Sequence, residues 1–412
     1  MRAISGAMQE VTIKRLGHQG DGIAPGPVFV PRTLPGEIVR GEIGAGRMAA
    51  PKIVAASPDR VASPCPHYGA CGGCALLHAR DAFVAAWKQE VVRTALAAQG
   101  LSVPFDPIAT SPPGSRRRAV LSGRRTRTGA VVGFHGRASD ALCEVPHCLI
   151  LTDGIRTVLP VLRDLVIAGG SRKGEMGFAV IDTESGVDVA AHGGKPVAAG
   201  VDAELAQIVS GRPVARLSWD GEVVVQAAPP WVRFGTARVV PPPGAFLQAT
   251  REGEAALLSS VGAVVGGASR IADLFAGCGT FALPLARHAE ILAVENEASM
   301  LAALAAGWRV AQGLKAVATE VRDLFRVPIT AGELSRFDAV VIDPPRAGAA
   351  AQSAELARSA VPRIAAVSCN PVTFARDAAV LVAGGYRLDR VRVVDQFRWS
   401  PHVELAAQFT RD

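Results

Sequence analysis

The stretch Ile271-Ala272-Asp273-Leu274-Phe275-Ala276-Gly277-Cys278-Gly279-Thr280 pairs an apolar run with a tight glycine turn, and its reading decides the fold. Residues 271–275 lack the in-out alternation of a strand with one wet face, so they predict a strand buried on both sides, as in a parallel sheet. A helical stretch follows, with Pro284 near its start, where the missing N–H costs little. The grammar continues downstream. Residues 291–294 precede Glu295, residues 338–342 precede Asp343-Pro344-Pro345, and residues 364–368 precede Cys369, with helical segments between. Alternating strands and helices predict an α/β domain over 241–412, whose ligands sit beyond the carboxyl ends of the strands.

The glycine turn is not the G-x-G-x-x-G dinucleotide fingerprint. Fifteen residues after Thr280, Glu295 ends the next strand, where a carboxylate accepts two hydrogen bonds from ribose hydroxyls. Acids at Glu295 and Asp343 would repel a pyrophosphate and suit a cationic nucleoside such as S-adenosylmethionine. Ser368-Cys369-Asn370-Pro371 sets a thiol at the same rim; it reads as a nucleophile if nearby positive charge favours its thiolate, and otherwise as a small buried residue. Amino-group methyltransferases carry a base-stacking aromatic after the Pro-Pro pair, and Arg346 in that place argues against an exocyclic amine as target. Glu404, in Pro401-His402-Val403-Glu404, is a candidate general base before a final apolar strand.

Upstream the composition changes. Between residues 11 and 54 short apolar runs alternate with Gly and Pro, which predicts a small β-barrel, and residues 55–64 read as a linker. Cys65, Cys71 and Cys74 follow among glycines in a C-x5-C-x2-C pattern, a metal signal for which a four-thiolate site of iron-sulfur or zinc type is open. Residues 81–99 have helical apolar spacing and stop at Gly100. Residues 115–127 hold Arg116, Arg117, Arg118, Arg124, Arg125 and Arg127 without an acid, and read as an RNA-contacting strand pair or a solvated basic hairpin. The Pro241-Pro242-Pro243-Gly244 run closes this middle region.

The whole chain has 412 residues, 49% hydrophobic and 20% charged, enough for two to three cored domains and too apolar for a disordered tail. Of 44 basic residues only six are lysine, so arginine carries the net charge of +7, through genome bias or through a need for phosphate and base contacts. No long uncharged apolar run appears, and residues 1–6 lack a signal-peptide core, so a cytoplasmic protein without membrane segments is expected. Seven cysteines, an odd number, argue against a disulfide framework.

In the order Phe246-Leu247-Gln248, glycine turn, Asp343-Pro344-Pro345-Arg346, Ser368-Cys369-Asn370-Pro371 and His402-Val403-Glu404, the chain resembles the S-adenosylmethionine-dependent RNA 5-methyluridine methyltransferases. Within them it is similar to the large-subunit ribosomal RNA enzymes that carry a TRAM domain and an iron-sulfur cluster. Residues 13–24 and 28–31 look like the TRAM barrel. The resemblance implies three parts: an OB-like TRAM barrel over 1–60, a central α+β domain with the cysteine loop over 61–240, and a class I methyltransferase domain over 241–412.

It implies Cys369 as nucleophile and Glu404 as base, and Gln248, Phe275, Gly277, Thr280, Glu295, Asp323 and Asp343 as cofactor or pocket positions. Phe246 packs near the target base, with Arg116, Arg117 and Arg118 on RNA. Cys148 becomes the fourth ligand of a [4Fe-4S] cluster beside Cys65, Cys71 and Cys74, with Cys143 as its competitor and zinc as the alternative metal. Thr280 and Asp323 replace asparagines common in relatives, and residues 397–401 depart from the usual approach to the base. A monomer acting on ribosomal RNA is expected; transfer RNA is the rival substrate, and a non-catalytic RNA-binding or assembly protein the rival class.

Overall fold

A computed structural model describes residues 8–196 and 201–411, so residues 1–6 read above lie outside the described residues. The buried runs assemble into an eight-stranded sheet in the order Val317–Val321, Glu290–Glu295, Arg270–Leu274, Ala339–Ile342, Arg363–Ser368, Glu404–Thr410, Arg387–Asp395 and Ala109–Thr110. Neighbours are parallel except Glu404–Thr410, which runs antiparallel to both strands beside it. Its direction has a functional result. Glu404 pairs with Val394 and Leu405 with Ser368, so the first residue of this reversed strand reaches the rim where the parallel strands end.

Both faces of the sheet are dry. Ile271, Ala293, Val341, Ala365 and Ala406 meet Leu257 and Val261 of the helix Arg251–Val265. Leu274, Val340, Ile364, Val393, Leu405 and Phe409 meet Leu356, Phe374, Ala378 and Leu381 of the helices Ala350–Arg358 and Pro371–Ala383. Each such buried large side chain contributes about 1.5–3 kcal/mol. The chain after the glycine turn forms only the four-residue helix Ala282–Leu285, because the next strand begins at Glu290.

Two segments upstream of 241 join this sheet. The helix Asp81–Ala97 buries Val92 and Leu96 in the second face, and strand Ala109–Thr110 completes the edge beside Arg387–Asp395. The hairpin Val232–Phe234 with Ala237–Val239 packs on the first face. The sheet thus gathers residues from both ends of the middle region, which composition could not reveal.

A second sheet of seven strands has the order Leu142–Glu144, Ala130–His135, Arg118–Arg125, Met176–Thr183, Gly186–His192, Val214–Trp219 and Glu222–Gln226. The helix Asp153–Gly169 covers it through Ile155, Leu162, Leu165 and Val166, and the cysteines Cys71 and Cys148 lie in the same core. Near the N-terminus, Met8–Thr12, Ile38–Glu42 and Lys52–Ala55 form one three-stranded sheet, and Arg15–Leu16, Gly22–Ala24 and Val28–Val30 another, around Ile13, Val30, Val39 and Met48. Gly22 is obligatory there, since a Cβ would lie 2.1 Å from Thr33 Oγ1. Among the described residues no helix is long and apolar enough to cross a membrane.

Candidate active site

Strand ends decide what meets at the rim. After Arg270–Leu274 the backbone turns through left-handed conformations at Phe275 (φ 62°), Gly277 (φ 55°) and Gly279 (φ 100°). At Phe275 this costs about 1–3 kcal/mol, strain of the kind that persists where surrounding structure demands it. Gly277 N–H donates to Glu295 Oε2 (3.1 Å), while Glu295 Oε1 accepts from the amides of Asn296 (2.7 Å) and Glu297 (3.1 Å). Glu295 therefore holds the turn and stays half-buried at the end of its strand. Thr280 closes the turn, also half-buried. The Phe275 ring stands 5.5 Å from that of exposed Phe325, whose N–H donates to Asp323 Oδ1 (3.0 Å), so Phe275, Phe325 and Asp323 form an aromatic slot edged by an acid.

The next three acids lie deeper. Asp273 is wholly buried, and neither carboxyl oxygen makes a hydrogen bond of normal geometry. Burial, with Asp343 adding like charge, pushes its pKa well above the usual carboxylate range. Asp343 is pushed up to about 7 by burial. Burial and then the charge of Asp343 raise Glu404, which a hydrogen bond from Gln396 partly offsets. Among the described residues no cationic side chain offsets Asp273, Asp343 or Glu404, an arrangement that suits a positively charged ligand.

Gln248 and Gln396, both buried, tie two of these acids together. Gln248 Nε2 donates to Asp343 Oδ2 (3.3 Å) and its Oε1 accepts from Gln396 Nε2 (2.6 Å). Gln396 Nε2 also donates to Glu404 Oε2 (3.1 Å), and its Oε1 accepts from Ala249 N–H (2.8 Å). Sequence reading missed Gln396 because a glutamine after a strand carries no local signal of its own.

Cys369 ends the strand Arg363–Ser368 immediately before the helix Pro371–Ala383, whose N-cap Asn370 accepts from Val372 N–H and whose first residue is Pro371. The thiol is half-buried; burial, then Glu404 and Asp343, push it up to about 11, with Arg346 pulling it back. The loop that brings Glu404 is anchored across the molecule. Arg398 Nη2 and Trp399 Nε1 reach Asp81 at 2.5 and 2.9 Å, and the Trp399 carbonyl accepts from Leu76 N–H (2.9 Å).

Cys369 opens onto a groove of about 1960 Å³ whose lining includes Lys14, Arg15 and Arg47 of the N-terminal sheets, Trp87 and Arg93 of the first helix, and Arg116, Arg118 and Arg346. Arg118 lies over the exposed Phe246 ring at 5.1 Å, and Arg116 faces Phe397 at 5.9 Å. Arg117 departs from the expected RNA-contacting set. Immediately before the strand Arg118–Arg125 it turns inward, where it is buried against Glu254 and donates to the Gln248 carbonyl (3.2 Å), so it supports the wall that carries Gln248 instead.

Cys65, Cys71, Cys74 and Cys148 line one small apolar pocket with His67 and Tyr68, while Cys143 is not among its lining residues. Burial drives the Cys74 thiol up to about 12 and raises Cys71 and Cys148. The expected metal site appears as cysteines around this pocket and not as a closed ligand set: among the described residues no group of three or more His, Cys, Asp or Glu side chains is arranged to hold a metal ion.

The eight-stranded sheet, with its glycine turn, acid-ended strands and rim thiol, defines a class I methyltransferase domain. The sequence matches the family described as tRNA (Uracil-5-)-methyltransferase over residues 243–411. It is 46% identical to an uncharacterized RNA methyltransferase of Rhizobium meliloti, covering 96% of this chain and 98% of that one. It is 33% identical to the 23S rRNA (uracil(1939)-C(5))-methyltransferase RlmD of Chromohalobacter salexigens, covering 98% of this chain and 89% of that one. In fold it is similar to the crystal structure of Pyrococcus abyssi tRNA (uracil-54, C5)-methyltransferase in complex with S-adenosyl-L-homocysteine, with a TM-score of 0.77 at 23% identity over 97% of this chain and 99% of that one. The chain belongs to this family of RNA (uracil-5-)-methyltransferases.

Proposed function

We propose that the protein transfers the methyl group of S-adenosylmethionine to C5 of a uridine in 23S ribosomal RNA through a covalent bond between Cys369 Sγ and C6. The observation that carries this reading is the meeting of Cys369 and Glu404 at one rim, beside an acid-lined cleft and at the end of an arginine-lined groove. Uracil C5 is a weak nucleophile. Addition of the Cys369 thiolate to C6 pushes an electron pair onto the ring as an enolate, and C5 then takes the methyl group from the sulfonium. Glu404 removes the C5 proton, the C6–S bond breaks, and the thiolate leaves with that electron pair.

Charge explains the order of events. Before the donor enters, burial and then the neighbouring acids favour the protonated forms of Glu404 and the Cys369 thiol. A sulfonium beside Asp343 and Asp273 opposes that crowding, which favours the ionised forms the reaction needs. Gln248, Phe275, Gly277, Thr280, Glu295, Asp323 and Asp343 form the donor side, and Phe246 with Arg116 and Arg118 the RNA side, where an unstacked base gains an aromatic partner. Lys14, Arg15 and Arg47 extend the groove onto the N-terminal sheets, which supports a TRAM-like RNA-binding role for residues 1–60.

For the cysteine pocket we favour a [4Fe-4S] cluster held by Cys65, Cys71, Cys74 and Cys148. Thiols raised by burial in an apolar pocket ionise when a cationic metal group neutralises them, and of the two metals that four thiolates suit, the family resemblance favours the cluster over zinc. Its role here is to join the cysteine loop to the second sheet. Ribosomal RNA is favoured over transfer RNA by full-length similarity to RlmD. A cytoplasmic location and a monomeric enzyme accord with such a substrate.

The test is Glu404→Gln. Attack and methyl transfer precede proton removal, so this variant accumulates a methylated, denaturation-resistant protein–RNA adduct. Release of product at the normal rate, or no adduct at all, removes Glu404 as the base. Mapping 5-methyluridine in ribosomal and transfer RNA from cells lacking the gene decides the substrate.

A further inference from the structure

Gln396 follows the strand Arg387–Asp395, and its side chain makes three hydrogen bonds that use both Nε2 protons. Its Oε1 accepts from Ala249 N–H, which fixes which end of the carboxamide is oxygen, and the two Nε2 protons go to Gln248 Oε1 and Glu404 Oε2. The direction then propagates. Because Gln248 Oε1 accepts from Gln396, Gln248 Nε2 is left to face Asp343. A flip of either amide would set oxygen against oxygen, so each amide holds the other in one orientation.

We propose that Gln396 is a positioning residue that aims Glu404 and Gln248 together, leaving Glu404 Oε1 free for the C5 proton while Oε2 is held. This rests on the reading of Glu404 as the base. The hydrogen bond from Gln396 stabilises the carboxylate over the acid. Other groups acting on the same site are Asp343 from the neighbouring strand end, the Cys369 thiol, and Arg346, which acts on that thiol. Asp343 opposes ionisation of Glu404, so the Gln396 amide is the local group that favours it.

Replacing Gln396 by methionine keeps the volume and the apolar stem but withdraws both donors. The carboxylate remains, harder to ionise. Gln396→Met is therefore expected to build up the methylated protein–RNA adduct near neutral pH and to clear it as pH rises. The acid limb of the elimination rate moves up by about one to two pH units, the effect of losing a hydrogen bond to a charged group.

The experiment measures single-turnover adduct formation and decay from pH 6 to 9 in wild type, Gln396→Met and Glu404→Gln, with thermal unfolding and S-adenosylmethionine binding as fold controls. Adduct that decays faster with rising pH in Gln396→Met, beside a pH-independent adduct in Glu404→Gln, supports the proposal. An unchanged pH profile in Gln396→Met overturns it, as does an adduct indifferent to pH. If Glu404→Gln itself traps nothing, the base assignment fails first. Should the methionine variant not fold, Gln396→Glu keeps the shape, adds like charge beside Glu404 and must move the limb in the same direction.

Discussion

Lys88→Met should cost far more than the loss of a surface charge, and the reason lies in what Lys88 holds. Its side chain is fully buried in the helix Asp81–Ala97, with Nζ 2.5 Å from Asp395 Oδ1 and 3.0 Å from the Phe397 carbonyl. Methionine retains the apolar stem but removes the charge and both donated hydrogen bonds. The carboxylate of Asp395, a residue 2% exposed, is then left with the Phe397 N–H at 3.2 Å among the described residues. Leaving a buried carboxylate without its cation costs about 3–5 kcal/mol, against about 0.2–1 kcal/mol for an exposed pair. Urea unfolding followed by tryptophan fluorescence measures the difference, with an unchanged slope showing that stability alone has moved. Lys88→Met combined with Asp395→Leu removes both charges and should recover stability to within about 1–2 kcal/mol of wild type. A single variant that loses less than about 1 kcal/mol would refute the argument, as would a double variant less stable than Lys88→Met. Because Gln396 follows Asp395, the single variant should also slow product release.

Three further outcomes are expected. Replacing Arg116 and Arg118 by alanine should weaken RNA binding and flatten its salt dependence by about 0.7 in slope for each phosphate no longer neutralised, whereas Arg117→Ala should lower stability through Glu254; salt titration and thermal melts separate the two effects. Anaerobically purified protein should carry iron and a brown chromophore that Cys148→Ser abolishes and Cys143→Ser retains; stoichiometric zinc would instead name the other metal. Arg346 lowers a thiol that its surroundings push up to about 11, and the thiolate is the reactive form. Single-turnover addition should therefore rise with pH, about tenfold per unit below the thiol pKa, and Arg346→Gln should slow it most at neutral pH and less in alkaline buffer.

The chain's own order of residues carried the parallel sheet, the glycine turn and the candidate roles of Cys369, Glu404 and Glu295, because buried strands, turns and strand-end motifs are local patterns. The first helix was legible for the same reason, but its partner was not: Val92 and Leu96 pack on a sheet built from residues far downstream, and apolar spacing names a buried face without naming what covers it. Arg117 shows the same limit. In sequence it stands between two groove-lining arginines, and only the fold turns it inward against Glu254. The cysteines could be counted, and the family resemblance preferred Cys148 to Cys143, but local spacing could not show that Cys148 lines one pocket with Cys65, Cys71 and Cys74. Gln396 was beyond sequence reading, since its meaning lies in hydrogen bonds to residues 248 and 249, about 150 positions away. Periodicity and turn chemistry are short-range and survive in the sequence; the pairing of buried polar groups is long-range, and folding alone decides which donor meets which acceptor.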